Sequence, residues 1–484
     1  MTGTVASEPK PKPTTKGDVI LDPAAPGTSS IYVKGPASRA YLTWYTILTI
    51  ATTSVWGAVL GILLPNQVQL IEFGGWFTGV DAGVDLQQLT LLQQSIDAGT
   101  ATATAEQARQ LEILSGFNAS RAQSLAVITS VGVVLTMLLQ PIVGVFADRT
   151  RTRWGRRAPW ILFGTVAGAL LLSLVRFAPS IALLAVLFML AQAVLNTAIG
   201  PLVTTVADRM PENRRGTASA LGGFGNFFGG LLGGLGAGAF FATLGLDLYF
   251  IIAAFVAFSG VMFVLFARDR SSKDLVVPTF NWKEFFVGFT IALRSRNYRW
   301  VWVARILLTF GYTVSTALSL YMLQSYVRPA LSQAEATALA PLLLLAGVPV
   351  TIIAVFISGK LSDKLGKRRM FVIVASVLMA VSMVIPIVMP SVAGLFIQAI
   401  VAGIAFGIYL PVDQALFIDV LPDRNAAGRD LGVAGLGSNL GQALGPIVAG
   451  AVVAMTGGYV GIWVAAFVLV MLAAAAIIPL KGVK

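Results

Sequence analysis

The chain has 484 residues, of which 56% are hydrophobic and only 12% are charged, whereas soluble domains carry roughly 25% charged residues. Its mean hydropathy is +0.81, and it contains neither Cys nor His, which excludes disulfides and zinc or haem sites built on those ligands. We therefore expect no cofactor and no metal. The formal net charge of +12 leaves nucleic-acid binding open until the basic residues are located.

Apolar segments recur along the chain after a polar start. The first 40 residues are rich in Pro, Lys, Thr and Ser and predict a disordered tail. A spanning helix needs about 20 apolar residues. Twelve segments meet that requirement: 41–64, 123–146, 159–177, 180–206, 217–243, 247–267, 298–325, 337–359, 370–388, 392–416, 432–455 and 458–480. The sequence therefore predicts an all-α integral membrane protein with twelve transmembrane helices, whose first partner is the lipid bilayer.

Glycine is concentrated in the fifth of these segments, as LGGFGNFFGGLLGGLGAG at 221–238. Small residues allow helices to approach closely in lipid, so this segment is interpreted as a packing surface.

The 34 Lys and Arg residues indicate the orientation of the chain. With both termini cytoplasmic, 29 of them lie in cytoplasmic segments, one is inside a span, and the outside holds Arg109, Arg121, Arg176 and Arg328. This is the positive-inside bias of helical membrane proteins. The positive charge is thus a topology signal, which predicts the cytoplasmic (inner) membrane and no nucleic-acid partner.

Two loop signatures recur in the same order in both halves of the chain. GVFADR at 144–149, followed by GRR, returns 215 residues later as GKLSDK at 359–364, followed by GKRR. PLVTTVADRMP at 201–211 returns 210 residues later as PVDQALFIDVLP at 411–422. Two ordered matches between equivalent spans predict duplicated halves, the architecture of major facilitators.

The repeat divides the chain into two pseudo-symmetric six-helix bundles. The expected organisation is a tail (1–40), an N-terminal bundle (41–267) with a long external loop (65–122), a central cytoplasmic loop (268–297), a C-terminal bundle (298–480) and a short tail (481–484). A monomer is expected.

Each Gly–Asp–basic loop is expected to lock the cytoplasmic end of its half in one access state. The glycine would allow a tight turn and close helix contact, and the acid would accept bonds from a helix N-terminus or an Arg. The predicted gate residues are Gly144, Asp148, Arg149, Arg156, Arg157, Gly359, Asp363 and Arg368.

The segment QPIVGVFADRTRTRWGRRAP at 140–159 resembles the loop between the second and third spans of the glycoside–pentoside–hexuronide:cation symporters, a group of the major facilitator superfamily. The residues QPIVG at its start and GRRAP at its end look most like those of the sucrose/proton symporter branch. NTAIGP at 196–201, followed by Ala207-Asp208, is similar to that branch's fourth-span pattern. The resemblance implies secondary transport by alternating access.

The resemblance fails at the coupling positions. Sucrose symporters carry an acid and an Arg where this chain has Gln192 and Val203. The positions that match the cation-binding acids of melibiose-like symporters are Thr136 and Gln140. Neither coupling site, nor sucrose specificity, is therefore expected to transfer.

One carboxylate lies deep in a predicted span of the C-terminal half. Asp413 is in the tenth span, at the repeat position of Val203, and Arg305 in the seventh span is its expected counter-ion. An intramembrane acid is costly and normally faces a cavity or a partner. Two interpretations stay open: Asp413 couples protons or contacts the solute, or the two side chains form a static pair that fixes helix packing.

Sugar sites combine amides with aromatic faces in a largely apolar pocket. Gln192 and Asn196 are the preferred candidates because they are amides four residues apart on one helix face. The full set of predicted substrate-binding residues is Gln192, Asn196, Trp56, Tyr312, Tyr409, Gln414 and Gln140.

The leading function is a secondary transporter of a small solute, a sugar or glycoside, coupled to protons. An exporter of amphipathic compounds is the alternative, although its Gly-x-x-x-Gly-Pro-type motif stands in the eleventh span, at 441–446, and not in the fifth. A transport-inactive sensor of the same fold also remains. A membrane enzyme is not expected, since acid–base or metal chemistry needs a cluster of acids, His or Cys.

Overall fold

The computed structural model describes residues 14–16, 19–21, 29–33, 35–277, 287, 290–422 and 427–480. The helices in these ranges are α1 Pro36–Val55, α2 Leu64–Trp76, α3 Leu86–Asp97, α4 Ala105–Arg149, α5 Ala158–Val175, α6 Ile181–Arg209, α7 Glu212–Leu244, α8 Leu248–Phe266, α9 Arg296–Thr316, α10 Ser319–Ser325, α11 Gln333–Leu365, α12 Arg368–Val388, α13 Val392–Asp419, α14 Ala427–Thr456 and α15 Val460–Ile477. A π-helix, Trp56–Leu63, joins α1 to α2 without a break.

Three short antiparallel strands precede α1: β1 Thr14–Lys16, β2 Val19–Leu21 and β3 Ile31–Tyr32. The strand β3 is followed by α1, which begins at Pro36 and not at 41, because Pro at the first helical position already has the helical φ. The segment 1–40, predicted as a disordered tail, therefore differs from that expectation where the structure describes it. Residues 1–13 and the predicted tail 481–484 lie outside the described residues.

Ten helical runs in the described ranges are long and apolar enough to cross a membrane, or eleven if the bent pair α9–α10 is one span. One run, Glu212–Phe266, holds 55 residues and as a straight helix would measure about 80 Å, far more than the roughly 30 Å of a bilayer core. It consists of α7 and α8, joined at Gly245, whose φ is +53°, and both helices pack on α1. The run thus supplies two crossings instead of one. Added to the eleven runs that include the bent pair α9–α10, this second crossing gives the predicted twelve.

The same pattern of helix contacts is found in both halves. In the N-bundle (α1–α8), α1 packs on α7 and α8, α5 on α6 and α8, and α4 on α6. In the C-bundle (α9–α15), α9 packs on α14 and α15, α12 on α13 and α15, and α11 on α13. Each contact has its counterpart when the helices are paired in chain order. Between the bundles, α4 packs on α14 and α7 on α11, and the same pseudo-twofold exchanges these two contacts.

The molecule has two chemically different ends. The connections at 150–157, 210–211 and 366–367 share one end with the start of α1, and we call it the basic end. The opposite end carries α3 and the connection at 326–332, and we call it the α3 end.

The segment 65–122 is mostly helical, although it was expected to be a loop. The helix α4 begins at Ala105, where Thr104 and Gln107 form a reciprocal capping box. Leu114 and Phe117 then pack on Phe77 and Leu89 in a small apolar cluster at the α3 end. Capping and burial therefore let α4 begin at Ala105, well before the predicted second span at 123–146.

Glycines allow α1 and its π-helical continuation to approach α7 closely. A Cβ added at Gly57 would lie 1.8 Å from the Gly230 carbonyl oxygen, and one at Gly229 would lie 2.0 Å from Thr53 Oγ1. The backbones can touch only because these side chains are absent. The glycine-rich segment 221–238 is thus a packing surface, as predicted.

Replacing Gly57 by Ala should destabilise the N-bundle by about 1–3 kcal/mol, because the new methyl group meets backbone that cannot move aside. Gly61 is the matched control, since it lies on the same π-helix and a Cβ there has no neighbour within 4 Å. Thermal unfolding of both purified variants in one detergent measures the difference. Equal losses for Gly57→Ala and Gly61→Ala would show that the contact does not matter.

Candidate functional site

A buried ion pair joins α9 to α13 within the C-bundle. Arg305 Nε donates to Asp413 Oδ2 at 2.9 Å, and Arg305 Nη2 donates to the same oxygen. Tyr409 donates its hydroxyl to Asp413 Oδ1 at 2.9 Å, one helical turn earlier on α13. Both carboxylate oxygens are therefore satisfied, as a charge inside a bundle requires.

The surroundings of the pair are apolar and closed. Arg305 Cζ stands 3.9 Å from the centroid of the Phe417 ring, a distance at which a cation interacts favourably with the π face. Asp413 is 4% exposed and Arg305 5%. At the repeat position on α6, Val203 is 57% exposed. Asp413 thus points into the C-bundle, whereas Val203 points out of the N-bundle.

The N-bundle forms a neutral contact between the helices that correspond to α9 and α13. There Tyr41 on α1 and Thr205 on α6 share a hydrogen bond of 2.8 Å between their hydroxyls. The two bundles therefore repeat the helix pair but not its chemistry: one holds it with a charge pair, the other with two hydroxyl groups.

The amides Gln192 and Asn196 lie together on α6, as their spacing predicts. Asn196 Nδ2 donates to the Gln192 carbonyl at 2.8 Å, and both side chains are buried. A Cβ added at Gly132 of α4 would lie 2.2 Å from Gln192 Oε1. That oxygen is buried without a hydrogen-bond partner among the described residues. It lies against the backbone of α4 at Gly132, where no side chain intervenes.

The remaining predicted substrate-binding residues do not form one cluster with the pair. Trp56 is half-buried at the start of the π-helix, and Tyr312 stacks on Phe406 with 5.2 Å between ring centroids. Gln140 and Gln414 are exposed. Tyr409 is the member of the set that contacts Asp413 within the described ranges.

The acids of the repeated loops form equivalent ion pairs, each within its own bundle. Arg157 bridges Asp148 at 2.6 Å and Asp208 at 3.0 Å, and Arg156 reaches Asp208 at 2.6 Å. In the C-bundle, Arg368 bridges Asp363 at 3.3 Å and Asp419 at 2.6 Å. Each Arg ties three successive helices together at the basic end.

Gly144 and Gly359 do not make the tight turns expected of them. Both lie inside helices, since α4 continues to Arg149 and α11 to Leu365. A Cβ at Gly144 would meet nothing within 4 Å, and one at Gly359 would meet only Pro411, at 3.9 Å. The turns are made by Gly155 and Gly366, whose φ angles are +87° and +61°. Left-handed backbone is where glycine is needed, and these residues fill it.

The sequence did not reveal how the bundles are joined. Within the described ranges, the hydrogen bonds that we identify between them lie at the α3 end. Arg121 of α4, expected in an outside loop, is 1% exposed between the bundles. Its Nη1 donates to Gln69 at 2.9 Å and Gln324 at 2.8 Å, and its Nη2 donates to Ser325 at 2.7 Å.

A second polar contact at this end links α2 to α11. Asn66 Nδ2 donates to Thr337 Oγ1 at 3.2 Å, and Asn66 Oδ1 accepts from Gln333 at 2.8 Å. The capping boxes that start α4 and α11 are the one sequence signal that could have shown these helices reaching so far.

The bundles separate toward the basic end. At the α3 end of α14, a Cβ at Gly450 would lie 2.7 Å from Ala126 of α4. Nearer the basic end of the same helix, Gly432 and Gly435 would meet nothing within 4 Å. The molecule is thus closed at the α3 end and parted at the basic end.

Replacing Asp413 by Ala should destabilise the C-bundle by about 3–5 kcal/mol, because Arg305 is left buried without its counter-charge. The double variant Arg305→Met/Asp413→Leu should regain most of that loss. The matched control is Asp419→Ala, since Asp419 pairs at the half-exposed basic end and an exposed pair contributes at most about 1 kcal/mol. Denaturant unfolding in one detergent compares the three; a double variant as unstable as Asp413→Ala would contradict the expectation.

Comparisons with known proteins agree with this architecture. The profile of the family described as "MFS/sugar transport protein" matches residues 119–480. The chain is 44% identical to lactose permease of Lactobacillus helveticus over 64 residues, which are 12% of this chain and 10% of the permease. It is 48% identical to an uncharacterized symporter of Synechocystis sp. over 40 residues, 8% of this chain and 7% of that protein. These matches thus span a tenth or less of each relative.

Solved structures share the fold at low sequence identity. The nucleoside transporter NupG is 12% identical, with a TM-score of 0.63 over 90% of this chain and 99% of that one. The known proteins similar to this chain are transporters and not enzymes. Because the family profile covers most of the chain, this multi-pass membrane protein belongs to the MFS/sugar transport family.

Proposed function

We propose that this chain imports a sugar or glycoside together with protons across the cytoplasmic membrane, as a monomer with both termini in the cytoplasm. The observation that carries the proposal is the family match over residues 119–480. It rests further on a two-bundle fold that is joined at one end and parted at the other.

The orientation follows from charge. The basic end gathers the Arg-rich connections, and Lys and Arg favour the cytoplasmic side. In that orientation the α3 end faces outward, and the conformation described is closed to the outside and opens toward the cytoplasm. Alternating access would then require the Arg121 contacts to break while the basic ends approach each other.

The solute class rests on the character of the family and on buried amides. Gln192 and Asn196 are buried amides on α6, and an amide group can both donate to and accept from a sugar hydroxyl. A short match to a protein named lactose permease supports a disaccharide as the first solute to test.

Coupling is assigned to Asp413. Its carboxylate lies away from the ends of α13. One oxygen accepts from Arg305 and the other accepts from the Tyr409 hydroxyl. Protonation of Asp413 would remove the charge that holds Arg305, and the guanidinium, which already lies on the Phe417 ring, would be free to move. Binding of a proton to Asp413 would thereby change the contact between α9 and α13.

The exporter alternative has no specific support. Its motif glycines, Gly441 and Gly445, lie close to Ile306 and Thr313 of α9 within the C-bundle. Their role there is helix packing, for which small residues are needed. A static role for Arg305 and Asp413 is the stronger competitor, and transport separates it from coupling.

Asp413→Asn should abolish uptake against a concentration gradient, because Asn cannot exchange a proton, while exchange of labelled for unlabelled solute across proteoliposomes continues. The measurement is uptake of labelled lactose, sucrose and melibiose with and without an imposed proton gradient. Loss of both activities, together with the instability described above, would indicate a static pair.

Asp247→Asn is the control, since Asp247 forms an exposed pair with Arg176 at the α3 end and should leave accumulation unchanged. If Asp413→Asn accumulates solute as the wild type does, Asp413 is not the coupling acid. If no sugar moves while a cationic dye is expelled, the chain is an exporter.

A further inference from the structure

A cavity lies at the α3 end, apart from the amides and the ion pair described above. Its volume is 380 Å³, within the range of about 300–1,000 Å³ typical of small-molecule pockets. Side chains from α2, α3, α4 and α10 line it, so both bundles contribute to its wall. Arg121 and Gln324, which join the bundles, are among them.

Three polar atoms in this wall are buried without a hydrogen-bond partner among the described residues. They are Arg121 Nε, Gln324 Nε2 and Asn118 Oδ1. Arg121 is 1% exposed and Gln324 6%, so open solvent does not compensate them. A buried polar group without a hydrogen bond is unfavourable. Residues that line one cavity thus carry two donors and one acceptor without partners, and these atoms form an incomplete set of hydrogen bonds.

The chemistry of the wall selects a neutral hydroxylated molecule. A hydroxyl group can accept from Arg121 or Gln324 and donate to Asn118. Phe73 and Phe117, also in the wall, supply the apolar surface that a sugar ring needs. An anion is disfavoured because the wall contains one acidic residue, Asp85, as well as one basic residue, Arg121, and so carries no net charge.

We propose that this cavity is a second sugar site, filled from the outer side while the α3 end is closed. The ligand binds beside the bonds from Arg121 to Gln324 and Ser325, which join the bundles. This site rests on the solute class and orientation proposed above, but not on proton coupling.

The absence of native Cys allows a direct test of occupancy. Gln87 lies on α3 and lines the cavity; Gln88 is the next residue, is exposed and is not part of the wall. Single variants Gln87→Cys and Gln88→Cys, in the full chain in proteoliposomes, are labelled with a membrane-impermeant maleimide. Lactose, sucrose and melibiose are titrated, with glycine betaine, which has no hydroxyl group, as the osmotic control.

We expect at least one sugar to slow labelling of Cys at position 87 and to leave position 88 unaffected. Adding Asn118→Ala to Gln87→Cys should raise the half-protecting concentration about tenfold, which corresponds to about 1.4 kcal/mol. Gln324→Met, also added to Gln87→Cys, should have the same effect. Size-exclusion chromatography shows which of these variants are folded. Asn118 Oδ1 has no described partner to lose, so Asn118→Ala is expected to fold.

Protection by no sugar would overturn the proposal and leave a cavity that holds only water. Equal protection at positions 87 and 88 would also overturn it, since that indicates a conformational change without occupancy. Sugar transport without protection would reject this site and keep the proposed function. Protection without transport would keep the site and reject the function.

Discussion

The buried guanidinium of Arg121 brings a positive charge into the polar contacts that join the bundles at the α3 end. A charge is tolerated between two apolar bundles only if its hydrogen-bonding groups find partners. Gln69 comes from the N-bundle, and Gln324 and Ser325 come from the C-bundle. The cation also lies over Tyr321, with 4.4 Å between Arg121 Cζ and the ring centroid. Neutral partners hold the bundles without the strength of an ion pair, which suits a contact that breaks in the transport cycle proposed above.

The basic end is organised on the opposite principle. There the charges pair within each bundle: Arg157 with two acids in one, Arg368 with two acids in the other. Such pairs keep three helix ends of one bundle together. Asp269 adds a further tie in the N-bundle, because it accepts from Ser29 at 2.9 Å and pairs with Arg209 at 3.3 Å. Rigid bundles that separate at one end are what alternating access requires.

The symmetry of the fold and the asymmetry of its chemistry have different origins. The repeated helix contacts follow from the duplicated sequence, and small residues carry them where lipid supplies no hydrophobic drive. The contact between Arg305 and Asp413 has a neutral counterpart, Tyr41 with Thr205. A charge pair responds to protonation and a pair of hydroxyls does not at ordinary pH, so of these two equivalent contacts it is the one between Arg305 and Asp413 that a proton can change.

Hydropathy and repeated motifs were enough to predict the twelve spans and the two halves, because they are local properties of the chain. The sequence placed Gln192 beside Asn196 for the same reason. It left open whether each loop acid binds a helix N-terminus or an Arg, and it did not show that Asp208 and Asp419 share those ion pairs. It did not determine that Asp413 faces into its bundle while Val203 faces out of its own, since helix rotation is set by packing. Nor did it place Arg121, which stands far in the chain from Gln324 and Ser325. Those groups come together in the folded chain, which also leaves three polar atoms of the cavity-lining residues without partners, because burial is a property of the assembled bundles.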